Sequence, residues 1–173
     1  MATFRWPVDK QYAQPDMLPS GFLFGSKRLT KYPHPHYGVD LGVFGAKVYA
    51  AADGVVYTAS YINDGLTGYA IYINHEGSWQ TRYMHLGPKL LVKSGESVTA
   101  GQQIATVGEL VQSGKTDAHL HFEIVSNCQT TGCKEGSRLD PLAVLGTAGG
   151  EGGKLLAAIA IATAGAVVLA RGR

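Results

Sequence analysis

Read as a pattern of apolar and polar positions, the chain divides into three stretches. Residues 1 to 35 show no sustained period, and prolines at 7, 15, 19, 33 and 35 break any long element. From Lys47 the period is two. Runs of β-branched and aromatic residues bounded by Gly, Asp or Asn predict strands over 47–51, 54–61, 69–75, 79–85, 103–107 and 120–125. Only Pro141-Leu-Ala-Val-Leu145 reads as a short helix, with Asp140 as N-cap and proline at the first helical position. Short strands at near-regular spacing predict an all-β fold, an antiparallel β-sandwich or barrel with short helices.

The third stretch, Leu155 to Ala170, reads LLAAIAIATAGAVVLA and carries no charge. As a helix it would span about 24 Å at 1.5 Å per residue, short of a hydrocarbon layer of roughly 30 Å, and Lys154 and Arg171 could snorkel to make up the difference. A buried terminal helix and an interfacial segment are the alternatives. Its position after the Gly-rich linker 146–153, its apolar character all round and the recurrence of Ala158, Ala162, Ala166 and Ala170 favour a membrane-placed tail.

Composition sharpens the division. The 173 residues carry a formal charge of +2, but Lys154, Arg171 and Arg173 lie in the last twenty residues, which hold no acid. Without them the body has 12 basic and 13 acidic residues. A near-neutral body argues against a nucleic-acid partner, which needs clustered basic surface. The first ten residues have no apolar core of the kind a secretory signal needs, so export by the N-terminus is not expected. Cys128 and Cys133 bracket Gln-Thr-Thr-Gly and are expected to close a small disulfide loop suited to an oxidising compartment, with two free thiols or a metal-binding pair as the alternatives.

Chemistry concentrates in the histidines. In His119-Leu-His-Phe-Glu123, period two puts His119, His121 and Glu123 on one face and Leu120 and Phe122 on the other, and two imidazoles on one face can begin a zinc site. His36 and Asp40 in HYGVD would lie about 13 Å apart in an extended strand, so shared ligation needs a kink, for which Gly38 stands at the midpoint. His85 ends a strand in YMHLG. A lone histidine on a strand is more often structural, and it is the combination that points to a metal.

HYGVD, YMHLG and HLHFE, in that order, resemble the M23 peptidases, the lysostaphin and LytM type zinc endopeptidases of bacterial cell walls. Ser20-Gly-Phe22, VYAAADGVV at 48–56 and GQQIATVG at 101–108 extend the resemblance over about residues 18–145. It implies a LytM-type β domain at 18–145, preceded by an irregular segment 1–17 and followed by the linker 146–153 and the tail 154–173. It also implies that His36, Asp40 and His121 bind Zn²⁺, and that His85 and His119 are catalytic histidines that orient or deprotonate the water and stabilise the oxyanion. Glu123 is read as either an orienting partner of a ring nitrogen or a solvated carboxylate. His34 is read as a loop residue, His75 as part of a hairpin turn, and Arg28 as a substrate-facing candidate. Tyr37, Tyr61 and Tyr83 either line a groove or pack. The stretch Ser113–Ala118, the Cys128–Cys133 loop and the apolar tail depart from the family pattern and are expected to leave the metal ligands untouched.

The expected function is zinc-dependent hydrolysis of the peptide part of peptidoglycan, at a D-Ala to diaminopimelate cross-link or an oligoglycine bridge. A non-catalytic binding or regulatory module and a structural membrane or virion protein are the alternatives. The expected setting is a phage virion, or the host periplasm and cell wall. Membrane contact would run through 155–170, and virion proteins or a second copy of the chain would meet the tail.

Overall fold

The computed structural model describes residues 3–13, 23–26, 35–109, 118–133 and 137–146. Arg28, His34, most of the Ser113–Ala118 stretch, the linker beyond Gly146 and the apolar tail lie outside the described residues. Within them no helix is long and apolar enough to cross a membrane.

The expected antiparallel all-β class is observed, as an open sheet with a small second sheet. The described residues form β1 (Val39–Leu41), β2 (Lys47–Tyr49), β3 (Gly54–Ile62), β4 (Gly68–His75), β5 (Trp79–Leu86), β6 (Ser97–Val98), β7 (Gln103–Thr106), β8 (Leu120–Val125) and β9 (Arg138–Leu139). A seven-stranded sheet runs in the order β1-β8-β5-β4-β3-β6, with β9 also on β8, and β2 pairs β7 in the second sheet. The helix α1 (Pro141–Leu145) is capped as the sequence predicts, Asp140 accepting the Leu142 N–H at 2.9 Å.

Alternation fixes what each strand presents. Leu120, Phe122 and Ile124 of β8, Tyr83 of β5 and Ile71 and Ile73 of β4 are fully buried in one core with Val48 of β2 and Ile104 and Ala105 of β7. Burying each large apolar side chain stabilises by about 1.5–3 kcal/mol. A slip of one residue would turn His121 and Glu123 into that core, so hydrophobic packing alone sets the register of the polar face. Residues 3–13 are irregular apart from a 3₁₀ turn at Lys10–Tyr12, yet Phe4, Val8 and Ala13 are buried in the same core. The Arg5 N–H bonds to the Ala51 carbonyl and the Tyr49 N–H to that of Pro7. The N-terminal segment is thus part of the packed domain.

Candidate metal centre

Three chain segments meet at one point of the polar face. β1 pairs β8 so that Asp40 stands opposite His121. His36 lies just before β1, held by its own N–H to the Ser26 carbonyl and by its carbonyl to the Gly25 N–H. The chain bends at Gly38, as the spacing of His36 and Asp40 suggested, and the position carries a second requirement. Gly38 has no left-handed φ, whereas a Cβ there would lie 2.4 Å from the Phe122 carbonyl oxygen and 2.9 Å from His121 Nε2. The position requires space as well as a bend.

The donor atoms are His36 Nε2, Asp40 Oδ1 and His121 Nδ1. His36 Nε2 is 2.9 Å from His121 Nδ1 and 3.1 Å from Asp40 Oδ1, and His121 Nδ1 is 2.8 Å from that oxygen. All three residues are buried. The remaining nitrogen of each imidazole is engaged elsewhere. His36 Nδ1–H donates to the Leu23 carbonyl at 3.0 Å, and His121 Nε2–H faces Glu123 Oε1 at 3.3 Å. These bonds favour the tautomers that would turn both lone pairs toward an ion shared with the Asp40 carboxylate, a donor set that suits zinc.

The electrostatics of the cluster agree. Burial alone would raise the Asp40 carboxyl, but hydrogen bonds from His121 and His36 hold it far below the usual carboxylate range. Burial would lower His121, yet Asp40 and Glu123 push it up to about 9.

His85 and His119 stand beside this cluster. His119 Nε2 is 3.3 Å from Asp40 Oδ2, and the His85 ring meets that of His119 edge-on at 5.0 Å. His85 has φ 61°, a strained value for a side-chain-bearing residue, fixed by its N–H to the Thr67 carbonyl and its carbonyl to the Gly108 N–H. A cleft of about 660 Å³ opens from these two histidines past Tyr61, Leu66 and Phe44. A second, of about 280 Å³, continues from His85 over His36, His121 and Arg138.

A family model described as Peptidase family M23 matches residues 34–141. The chain belongs to the M23 peptidases. It is 40% identical over 124 residues to the peptidoglycan DD-endopeptidase ShyB of Vibrio cholerae, covering 70% of this chain and 27% of that protein. It is 32% identical over 127 residues to the murein hydrolase activator NlpD of Escherichia coli, covering 72% and 28%. The chain therefore spans about a quarter of the length of these M23 relatives. A zinc-containing peptidase from V. cholerae superposes with TM-score 0.63 at 35% identity, over 81% of this chain and 39% of that one. The catalytic domain of lysostaphin from Staphylococcus simulans gives TM-score 0.61 at 32% identity, over 72% and 90%.

The structure thus brings His36, Asp40, His85, His119 and His121 together. Glu123 is no solvated carboxylate: it is 3% exposed, and burial, which would raise its pKa, is outweighed by His121, Arg138 and Arg82, which hold it low. His75 ends β4 next to the turn, buried, between the Asp53 carbonyl and the Thr81 hydroxyl, each at 2.7 Å. Tyr83 packs, its hydroxyl accepting from the Ala51 N–H, while Tyr61 is 50% exposed on the cleft. Sequence reading missed Arg82 and Arg138, which stand 3.6 and 3.2 Å from Glu123 Oε2. The available signal was the rule that a buried carboxylate needs a cationic partner, since Arg82 is the sole arginine in the strand-like runs.

Proposed function

We propose that this chain is a zinc-dependent endopeptidase acting on the peptide part of peptidoglycan. The observation that carries the reading is the convergence of His36 Nε2, Asp40 Oδ1 and His121 Nδ1 beside two further histidines on an open cleft. Zinc bound there would polarise the scissile carbonyl and lower the pKa of a bound water to about 7. Asp40 supplies the one negative charge of the donor set, and Glu123 and the Leu23 carbonyl keep the two imidazoles turned inward. His119, 3.3 Å from Asp40 Oδ2, is placed to take a proton from the attacking water and return it to the leaving nitrogen. His85, edge-on to His119 on the cleft side, is placed to donate to the oxyanion.

The likeness to NlpD supports a second reading, an activator of murein hydrolases. The complete set of donors and flanking histidines favours hydrolysis by the chain itself. Incubating the purified chain with isolated peptidoglycan, with zinc or with chelator, separates them. Peptides released by the chain alone, lost on chelation and in His36→Ala, support the hydrolase, and mass spectrometry names the bond. No release unless another hydrolase is added would support the activator.

For the setting, we propose that the enzyme works at the bacterial envelope, in a virion or in the host periplasm, with residues 155–170 as a membrane tether. The sixteen uncharged residues support the tether. The full chain should sediment with membranes and a chain ending at residue 150 should not; equal partition would remove the tether.

A further inference from the structure

The Cys128–Cys133 loop, an addition expected to leave the metal ligands untouched, reaches one of them. Cys128 and Cys133 are joined as a disulfide, with Cα atoms 5.5 Å apart. Arg82, buried on β5 directly opposite Glu123 of β8, extends its Nη2 into this loop and donates to the Thr130 and Thr131 carbonyls, each at 3.2 Å. Its Nη1 faces Glu123 Oε2 at 3.6 Å, its Nε donates to Gln80 Oε1 at 2.7 Å, and its Cζ lies 4.8 Å over the Tyr72 ring. Glu123 in turn faces His121 Nε2. An unbroken line of contacts therefore joins the loop to a metal donor.

The two halves of the loop are held differently. The first half is tied to the sheet by the Cys128 N–H to the Ser78 carbonyl and by Asn74 Nδ2 to the Gln129 carbonyl. The exposed second half returns to the sheet, among the described residues, through Arg82 and the disulfide. A guanidinium is a rigid fork, so fixing one edge on two carbonyls fixes where the other edge points. Outer partners of metal-bound histidines hold the ring orientation and its basicity.

We propose that the Cys128–Cys133 disulfide is a redox-sensitive clamp on the metal site, acting through Arg82 as the residue that positions Glu123 and His121. Opening it takes two electrons and two protons from a dithiol, which leaves as its own disulfide, and yields two cysteine thiols. The freed carbonyls of Thr130 and Thr131 then turn to water, Arg82 loses its anchor, and His121 is held less firmly. Arg138 still holds Glu123 from β9, so the site is loosened and not dismantled. A chain reduced in the cytoplasm would hold zinc weakly and tighten on it after oxidation, where peptidoglycan is.

The inference rests on the metal site proposed above, and its test separates the two. Zinc affinity of the full chain is read by competition with a chromophoric chelator. The forms compared are the disulfide-bonded parent, Cys128→Ser with Cys133→Ser, Arg82→Met, and all three changes together. The serine pair and Arg82→Met should each weaken zinc by about 10–100-fold, and the triple variant should be no weaker than Arg82→Met alone. Parent reduced by a dithiol, freed of it and alkylated should match the serine pair, and it replaces that pair if the serines prevent folding. Unchanged affinity on opening the disulfide, or losses that multiply in the triple variant, overturn the clamp while leaving the site reading intact. A parent that binds no zinc overturns both.

Discussion

The two faces of β8 are built on opposite principles, although their residues alternate along one strand. Leu120, Phe122 and Ile124 face a core in which each contact is weak, non-directional and replaceable by another of similar volume. His121 and Glu123 face a cluster in which each contact is a directed bond between named atoms. The first face decides whether the strand is in register. The second decides what the register is worth chemically. Stability and function can thus be separated at neighbouring residues, and three consecutive substitutions show it.

His121→Ala has the largest effect: zinc-dependent release of peptides from peptidoglycan should fall to background, while circular dichroism still reports a folded β domain. One residue further, Phe122→Ala should behave in the opposite way, costing about 3–5 kcal/mol in urea unfolding because the side chain is fully buried beside Tyr83. If Phe122→Ala leaves the unfolding midpoint unmoved, the division between faces is wrong. Glu123→Gln should weaken zinc about 10–100-fold, read by chelator competition, with the fold retained.

The smallest effect sharpens the comparison through pH. His75 lies on the core face, and burial lowers its pKa below 6.5 despite its bonds to Asp53. The unfolded chain then binds the proton more tightly, so this contribution to stability is present above about 6.5 and is lost as pH falls below it. His121 on the other face has the opposite sign in the metal-free chain. Its pKa is raised from 6.5 to about 9, so its contribution is full below 6.5 and is lost as pH rises through 9. Urea midpoints of the metal-free protein should therefore decline on both sides of neutrality. His75→Asn should flatten the acid limb alone, and zinc should remove the alkaline limb. A single limb that responds to both changes would refute the assignment.

How much of this was legible in the sequence follows from the range of the interactions concerned. β3, β4, β5 and β8 could be read because each repeats an alternating pattern over six or more residues. β6 and β9 have two residues each, too few for any period, and β1, which overlaps the end of HYGVD, shows no alternation because its three residues are all buried. The five histidine and aspartate positions were legible as motifs, since their order is kept even though their contacts are remote. The bracing was not. Arg82 meets the loop across 48 and 49 residues of sequence, and nothing local to either marks the meeting. The bend at Gly38 was legible, but its need for space was not, because close approach to another strand leaves no local trace.

Asp40 and His121 bond across 81 residues of chain. Every other strand of the large sheet is closed by contacts nearer in sequence, whereas β1 waits for β8, which emerges when most of the domain has been made. Closing so long a loop is entropically costly and rewarded only once the hairpins between are in place. The His36, Asp40 and His121 cluster is consequently completed late in synthesis, ahead only of β9 and α1. A nascent chain holds two of the three donors for most of its length with no site to place them in, so the proposed hydrolytic centre is assembled only once β8 has joined β1.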